Sequence, residues 1–321
     1  MSSDLIISAD DITVARMIGR GIHTDVEPAD YYSDPCPQPS LTQSIAKILL
    51  RQSPMHARRE HPRLSPSTAA ALEYSRPMAI GTVAHRLVLG RGQEFHLIDA
   101  DDFRKKDTQD ARDHAIENGL VPILAPDHAT AALIASKVRQ QLDAMNLTAT
   151  LRSDGGASEV MLAWDERGIW FRSLIDWMGD GGLCCVDLKT TAGSAAPHAI
   201  ARKIADDGWH IQAAFHERGL DALDPEGAGR RRFLFVAIEQ QEPYALSVHE
   251  LDEAWMTIGR REVDIAQRVW RQCMQTGEWP DYADRIWHPD VPAWLERDAF
   301  AREIVFHVKQ GAPMLTSLAG G

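Results

Sequence analysis

The sequence predicts an α/β fold in which a mixed β-sheet lies between layers of helices. Three apolar segments follow one another from residue 160 to residue 189 with only short turns between them, which predicts three consecutive antiparallel strands. Segments with helical apolar spacing precede these strands, and a helix, two further strands and a long helix follow them. The order α-β-β-β-α-β therefore forms the core of the predicted fold, with the sheet packed between helices.

The helices before the sheet are predicted from apolar spacing and from residues that end helices. The first covers 41–52, and Ser53-Pro54 is expected to end it. In the helix over 78–89, Gly81 lies one turn before His85 and is expected to let another backbone come close. The other elements predicted before the sheet are a helical segment over 68–74, a short strand over 95–98 and an amphipathic helix over 129–145.

A β-hairpin forms the centre of the predicted sheet. Its turn is the Gly-Asp-Gly-Gly sequence at 179–182, a composition typical of tight turns, and it joins apolar runs over 169–175 and 183–188. A strand over 160–164 precedes the hairpin. The elements predicted after it are helices over 198–206 and 209–218, strands over 233–238 and 244–248, a helix over 251–276 and a last helix near 295–308.

Residues 1–40 differ in composition from the rest of the chain. They contain seven acidic residues, two basic residues and four prolines, so we expect an acidic N-terminal arm that is extended or looped. Residues 41–321 are predicted to form a single domain that ends in a helical tail. No apolar run approaches the ~20 residues that cross a bilayer, and the N-terminus lacks a secretion signal, so a cytoplasmic protein is expected.

The charge distribution allows a nucleic-acid ligand although the formal net charge is −12. Phosphate binding depends on Lys and Arg, and the segment 51–63 carries four arginines, among them Arg58 and Arg59, against one glutamate. Such a cluster is equally compatible with a solvated face. The four cysteines lack the spacing of a zinc site or a disulfide framework and are expected to be core thiols in a reducing compartment.

Candidate catalytic residues lie at the ends of the central strands. Asp176 closes the first strand of the hairpin, while Asp187 and Lys189 lie near the end of the second and project to the same face because side chains alternate along a strand. Glu159 stands at the entry of the preceding strand. Carboxylates beside an ammonium group suit a hydrolytic metal site, although an Asp-x-Lys pair is also common as an exposed ion pair that contributes only about 0 to 1 kcal/mol.

Several segments together resemble a known family. The order αβββαβ with the spacing D-x(10)-D-x-K resembles the PD-(D/E)XK nuclease superfamily. The sequences GIHTDVEPADYY at 21–32, GTVAH at 81–85, DLKTT at 187–191 and IQAAFH at 211–216 are most similar to the RecE type, exodeoxyribonuclease VIII. The resemblance extends over about residues 20–294. It implies a PD-(D/E)XK nuclease core with a mixed central sheet flanked by helices.

The resemblance implies a role for each candidate residue. Asp176, Asp187 and His85 would bind the catalytic metal, and Lys189 would position or activate the attacking water. Glu159 would bind a second metal or contact the residues that bind the first. The residues expected to contact DNA are Gln212, Thr190, Thr191, Arg58 and Arg59. Related nucleases usually carry a tyrosine four residues after this glutamine, whereas this chain has His216, whose role is left open.

The implied activity is a Mg²⁺-dependent exodeoxyribonuclease, with Mn²⁺ able to substitute. It would digest linear double-stranded DNA from the 5′ end and leave a 3′ single-stranded tail for a RecT-type annealing protein. A ring-shaped homotetramer is expected by the same resemblance. Two alternatives stay open from the sequence, namely a structure-specific endonuclease of the same superfamily and a catalytically silent module that binds DNA ends.

Overall fold

The computed structural model describes residues 17–65, 74–145, 155–283 and 286–309. It divides the chain into two units, residues 1–281 and residues 282–321. The helical segment predicted over 68–74 lies outside the described residues except for Tyr74. Within the described ranges, no helix combines the length and the apolar character that crossing a membrane requires.

The described helices and strands follow the predicted α/β order. The helices are α1 Pro28–Ser33, α2 Gln43–Arg51, α3 Pro54–Glu60, α4 Arg76–Leu89, α5 Lys106–Glu117, α6 Ala125–Ala144, α7 Pro197–Asp207, α8 Trp209–Leu223, α9 Glu253–Thr276 and α10 Ala293–Lys309. The strands are β1 Gly21–His23, β2 Ser40–Leu41, β3 Phe95–Ile98, β4 Val121–Leu124, β5 Gly156–Glu166, β6 Ile169–Gly179, β7 Cys184–Thr191, β8 Arg232–Glu239 and β9 Leu246–Glu250.

A mixed sheet of seven strands forms the centre of the first unit. Its order is β1-β5-β6-β7-β8-β9, and β2 pairs with β6 in addition. Strands β5, β6 and β7 form the predicted antiparallel meander, whereas β8 lies parallel to β7 because α7 and α8 form the crossover between them. Strands β3 and β4 make a separate parallel pair. The predicted mixed α/β fold is confirmed.

The two faces of the sheet pack against different helices. On one face, residues of α2, α8 and α9 share a core with Phe233 and Phe235 of β8. On the other face, residues of α4 and α6 share a core with Leu234 and Val236 of the same strand. Strand β7 alternates in the same way, so Asp187 and Lys189 follow Cys185 on the side of α8.

The segment before residue 41 contains regular structure that composition did not reveal. Strand β1 pairs antiparallel with β5, and helix α1 begins with Pro28. Tyr31 and Val26 are buried against Met161, so the described part of the predicted arm packs on the sheet. These elements have three and six residues, too short to show an apolar period.

The Ser53-Pro54 pair begins a helix that the sequence did not predict. Helix α2 ends at Arg51 near the predicted position, with the Thr42 hydroxyl accepting from the Ile45 amide at its start. Pro54 then occupies the first turn of α3, whose N-cap is Ser53. Proline is favoured in the first turn of a helix because backbone N–H groups have no partner within the helix at that position. Proline, which lacks this N–H, therefore loses no hydrogen bond there. The same pair therefore separates two helices rather than only ending one.

Candidate active site

The acidic side chains come together where three neighbouring strands reach one region of the sheet. The register of β5 with β6 places Glu159 directly across from Asp176. The register of β6 with β7 places Asp176 beside Asp187, one position beyond the last paired residues. Because directly opposed residues point to the same face, neighbouring strands present these carboxylates to one site.

Helix α4 brings an imidazole between two of the carboxylates. His85 Nε2 lies 3.0 Å from Oδ2 of Asp176, and His85 Nδ1 lies 3.5 Å from Oε1 of Glu159. The helix lies very close to β7 at Gly81, since a methyl group added there would lie only 2.6 Å from Oγ1 of Thr190. The close neighbour of Gly81 is therefore a side chain, and the expectation of a second backbone was wrong.

Lys189 and Gln212 hold the remaining carboxylate. Lys189 Nζ lies 2.6 Å from Oδ1 of Asp187 and donates a hydrogen bond of 3.0 Å to Oε1 of Gln212. The amide nitrogen of Gln212 donates to Oδ2 of Asp187. One amide of α8 thus fixes both the lysine and the aspartate of β7.

A buried histidine continues this hydrogen-bond chain behind Gln212. His216 Nε2 lies 3.3 Å from the Gln212 amide nitrogen, and His216 Nδ1 lies 2.6 Å from Oγ of Ser173. Burial lowers the pKa of His216 to about 3, so the ring is neutral. A neutral ring that accepts from Gln212 carries its proton on Nδ1 and donates it to Ser173. His216 therefore faces the amide rather than the open site.

The charges of the site influence one another strongly. Burial lowers the pKa of His85, but the carboxylates, Asp176 first, outweigh it and raise the pKa to about 9. Burial and the Asp176 charge raise the pKa of Asp187, and burial chiefly raises that of Glu159 to about 7. Burial also acts to raise the pKa of Asp176, yet His85 and Lys189 hold it below its usual range. The site thus needs positive charge to keep its carboxylates ionised.

The donor set fits a divalent cation, although the present side-chain positions do not form a ready ligand cage. Among the described residues, no three His, Cys, Asp or Glu side chains have the arrangement of a metal site. In this arrangement His85 and Lys189 contact the carboxylate oxygens directly. Oδ1 of Asp187 is buried, and the partner beside it is the ammonium group of Lys189 at 2.6 Å. Carboxylate oxygens are the ligand type that suits Mg²⁺ or Mn²⁺.

An open cleft gives access to these residues from solvent. The catalytic cleft, as we name it, has a volume of about 350 Å³ and is lined by Tyr32, His85, Glu159, Asp176 and Thr190, among others. A second cleft of about 440 Å³, the outer cleft, is lined by Arg86, Arg91 and Asn118 and also reaches Tyr32 and Glu159. The two clefts therefore meet beside the acidic cluster.

The other residues predicted to contact DNA have different positions. Thr190 lines the catalytic cleft, whereas Thr191 is buried and its hydroxyl accepts from the Gly193 amide. Arg58 and Arg59 are exposed on α3 and do not line the two clefts described above. The structure therefore brings Thr190 to the catalytic site but not the other three.

Two further residues near the site received no role from the sequence. Tyr32 of α1 lies at the junction of the clefts. Lys47 of α2 donates to the backbone oxygen of Asp207, and burial together with the Lys189 charge lowers the pKa of Lys47 to about 8. Tyr32 ends the segment 21–32 that resembles the RecE type, but nothing in that motif marked this ring, and no local pattern signals Lys47, because α1 and α2 reach the site only through the tertiary fold.

We expect His216 to make folding stability depend on pH. Its pKa is lowered in the folded state, so between pH 6.5 and about 3 the unfolded chain binds a proton that the folded chain does not. The contribution of His216 to the free energy of unfolding is fully present above pH 6.5 and decreases as the pH is lowered. Because of this residue, the parent protein should lose about 2 kcal/mol of unfolding free energy between pH 6.5 and 5. His216→Gln should not show this loss, and urea unfolding at the two pH values measures the difference.

The exposed residue His198 provides the matched control for this measurement. His198→Gln should retain the pH dependence that His216→Gln loses. An unchanged dependence in His216→Gln would contradict the neutral, buried state of His216.

Comparison with known proteins identifies similar sequences and folds. The family model described as a PDDEXK-like domain of unknown function (DUF3799) matches residues 59–288, more than half of the chain. No curated protein matches the sequence.

One solved structure shares the fold over most of the chain. It is a protein from Eubacterium rectale named "putative exonuclease", with a TM-score of 0.56 and 12% identity over 84% of this chain and 97% of that chain. A second structure, of SSO0001, has 14% identity over 63% of this chain and 88% of that chain. Its TM-score of 0.26 carries no argument.

Proposed function

This chain belongs to the PDDEXK-like family DUF3799 and is a nuclease of the PD-(D/E)XK superfamily, and from this premise we propose that it is a RecE-type, Mg²⁺-dependent exodeoxyribonuclease. The proposed substrate is linear double-stranded DNA. The observation that carries the proposal is the convergence of four residues: Glu159 and Asp176 line the catalytic cleft, and Asp187 with its partner Lys189 lies on the strand next to Asp176. This set supplies both the acidic ligands and the amine that phosphodiester hydrolysis requires.

The carboxylates are proposed to hold the metal. Asp176 and Asp187 provide oxygen ligands, His85 completes the set through a ring nitrogen, and Glu159 supports it from the neighbouring strand. A bound Mg²⁺ would make its water more acidic and offset the charge that develops on the phosphate. Mn²⁺ is expected to substitute because it accepts the same ligand types. The residues thus explain why activity should depend on a divalent ion.

Lys189 is proposed to act on the attacking water and the phosphate. Its ammonium is a compact positive charge beside Asp187, which suits a position next to the scissile phosphate. Gln212 fixes the Nζ of Lys189 through a hydrogen bond of 3.0 Å, and His216 fixes Gln212 in turn. The amine is therefore oriented before substrate binds, so less ordering is needed in the reaction.

Digestion of DNA of different topology tests the exonuclease proposal. With Mg²⁺, we expect linear duplex to be degraded to nucleotides and a covalently closed circle of the same sequence to stay intact. Opening the circle with a restriction enzyme provides the matched control because it should restore digestion. Cleavage of the closed circle at a rate similar to the linear form would instead indicate the endonuclease alternative.

Labelled ends test the proposed polarity. A duplex labelled at its 5′ ends should lose the label first and accumulate 3′ single-stranded tails. Early loss of a 3′ label would contradict this direction. The tails would suit a RecT-type annealing protein, which we propose as the partner on the basis of the sequence resemblance.

The assembly and the domain division are proposed on the same basis. We propose a ring-shaped homotetramer, and light scattering at micromolar concentration would test it by measuring the molar mass.

The acidic arm over 1–40 and the single domain over 41–321 are proposed as the functional division. The exposed arginines of α3, Arg58 and Arg59, are retained as proposed DNA contacts outside the clefts.

A further inference from the structure

Tyr32 is unusual in its exposure to solvent. Its exposed fraction is 64%, and no other Phe, Tyr or Trp among the described residues of the first unit is classed as exposed. A single exposed ring needs no explanation by itself, but beside a cleft it offers a flat apolar face to a ligand. The position of Tyr32 indicates which ligand would use this face.

The ring lies where the catalytic cleft and the outer cleft meet. Tyr32 and Glu159 both line the two clefts. Much of the Tyr32 ring is exposed, but desolvation where the hydroxyl meets the cleft, and then the charges of Glu159 and Asp176, raise the pKa of this hydroxyl. A strand whose phosphate reaches Asp176 would therefore bring an adjacent nucleotide to this ring.

The neighbours of Tyr32 hold its backbone in place. Tyr31, the preceding residue, is buried, and its ring packs edge-on against Tyr32 with centroids 5.3 Å apart. The side chain of Arg172 donates to the Tyr31 carbonyl at 3.1 Å, and its guanidinium lies 5.4 Å from the Tyr31 ring centroid. The exposed ring is thus presented by an anchored helix rather than by a mobile loop.

We propose that Tyr32 stacks on a nucleobase next to the scissile phosphate and so positions the DNA strand in the catalytic cleft. This inference rests on the proposed nuclease function and names a subsite within it. Aromatic rings stack on every base, since every base has a π-face, and the interaction is independent of sequence. Such a contact suits a nuclease that advances along DNA one nucleotide after another.

Steady-state digestion of linear duplex with Mg²⁺ tests the role of the ring. Tyr32→Ala should raise KM about 5- to 100-fold and change kcat much less, because stacking is lost before the chemical step. Tyr32→Phe keeps the ring and should retain the KM of the unmutated protein. Leu133→Ala is the matched control, since Leu133 is exposed on α6 and does not line the two clefts.

The same assay separates this inference from the proposed function. If the unmutated protein releases no nucleotides, the proposed function fails. If that protein is active and Tyr32→Ala has an unchanged KM, only the stacking inference is overturned. A loss in Tyr32→Phe as large as in Tyr32→Ala would also overturn it, because the hydroxyl and not the ring would then be responsible.

Fluorescence of 2-aminopurine near the end of the duplex provides a direct readout of stacking. In the Lys189→Ala background with Ca²⁺, binding should quench the probe. The added Tyr32→Ala change should abolish the quenching at saturating protein, whereas Tyr32→Phe should preserve it. Melting temperatures of all variants within a few degrees of the parent show that they are folded, and equal quenching in every variant would contradict the proposal.

Discussion

Replacing Asp187 with Asn is expected to lower the rate of DNA hydrolysis at least about 10³-fold. The substitution keeps the size of the side chain but removes the negative charge that a divalent metal needs, and metal stabilisation of the developing charge contributes several kcal/mol. Lys189→Ala should cause a loss of similar size because it removes the amine that contacts Oδ1 of Asp187. Release of acid-soluble nucleotides from linear duplex measures both effects.

Asp165→Asn provides the matched control for these substitutions. Asp165 lies on β5 beside the turn to β6, where its half-exposed side chain pairs with Arg20 at 3.5 Å. This variant should keep nearly full activity, since an exposed ion pair contributes little. Activity above about one tenth of the parent value in Asp187→Asn would contradict the assignment of the metal ligand.

The second large effect is expected on stability rather than on catalysis. Replacing Arg172 with Leu should lower the free energy of unfolding by about 3 to 5 kcal/mol. Arg172 Nη1 lies 3.0 Å from Oδ1 of Asp34, whose side chain is fully buried, so the variant leaves a buried carboxylate without its main cation. Urea unfolding monitored by circular dichroism measures the change.

The other contacts of Asp34 explain why it cannot simply move into solvent. The amide and hydroxyl of Ser40 donate to Asp34 at 2.9 and 2.7 Å, and His61 Nε2 lies 3.3 Å from it. Arg232→Leu is the matched control because Arg232 forms an exposed pair with Glu250. A cost above about 2 kcal/mol at Arg232, or below about 1 kcal/mol at Arg172, would contradict the distinction between buried and exposed pairs.

The sequence predicted those parts of the site that lie close together along the chain. Asp187 and Lys189 are two residues apart on one strand, so alternation alone places them on one face, and the Gly-rich turn places Asp176 opposite them. The roles of His85 and Gln212 came only from the resemblance. Their positions against the carboxylates depend on how α4 and α8 pack on the sheet, and no local pattern encodes that packing.

Other features followed from tertiary contacts that no sequence period reveals. The sequence left the role of His216 open, and its partner Ser173 lies 43 positions earlier on strand β6, whereas His216 is on helix α8. The short helix α1 has six residues and begins with a proline, so the composition indicated a loop. Thr191 shares a motif with Thr190, yet strand alternation turns it into the core.

The measurement that tests the central claim most directly is nucleotide release from linear duplex by the purified protein, with and without a divalent ion. The account predicts release with Mg²⁺ or Mn²⁺, none with excess EDTA, recovery when Mg²⁺ is restored, and release at least about 10³-fold slower from Lys189→Ala at every metal concentration. Release that persists in EDTA, or equal release by Lys189→Ala, would contradict a metal-dependent site built from Asp176, Asp187 and Lys189.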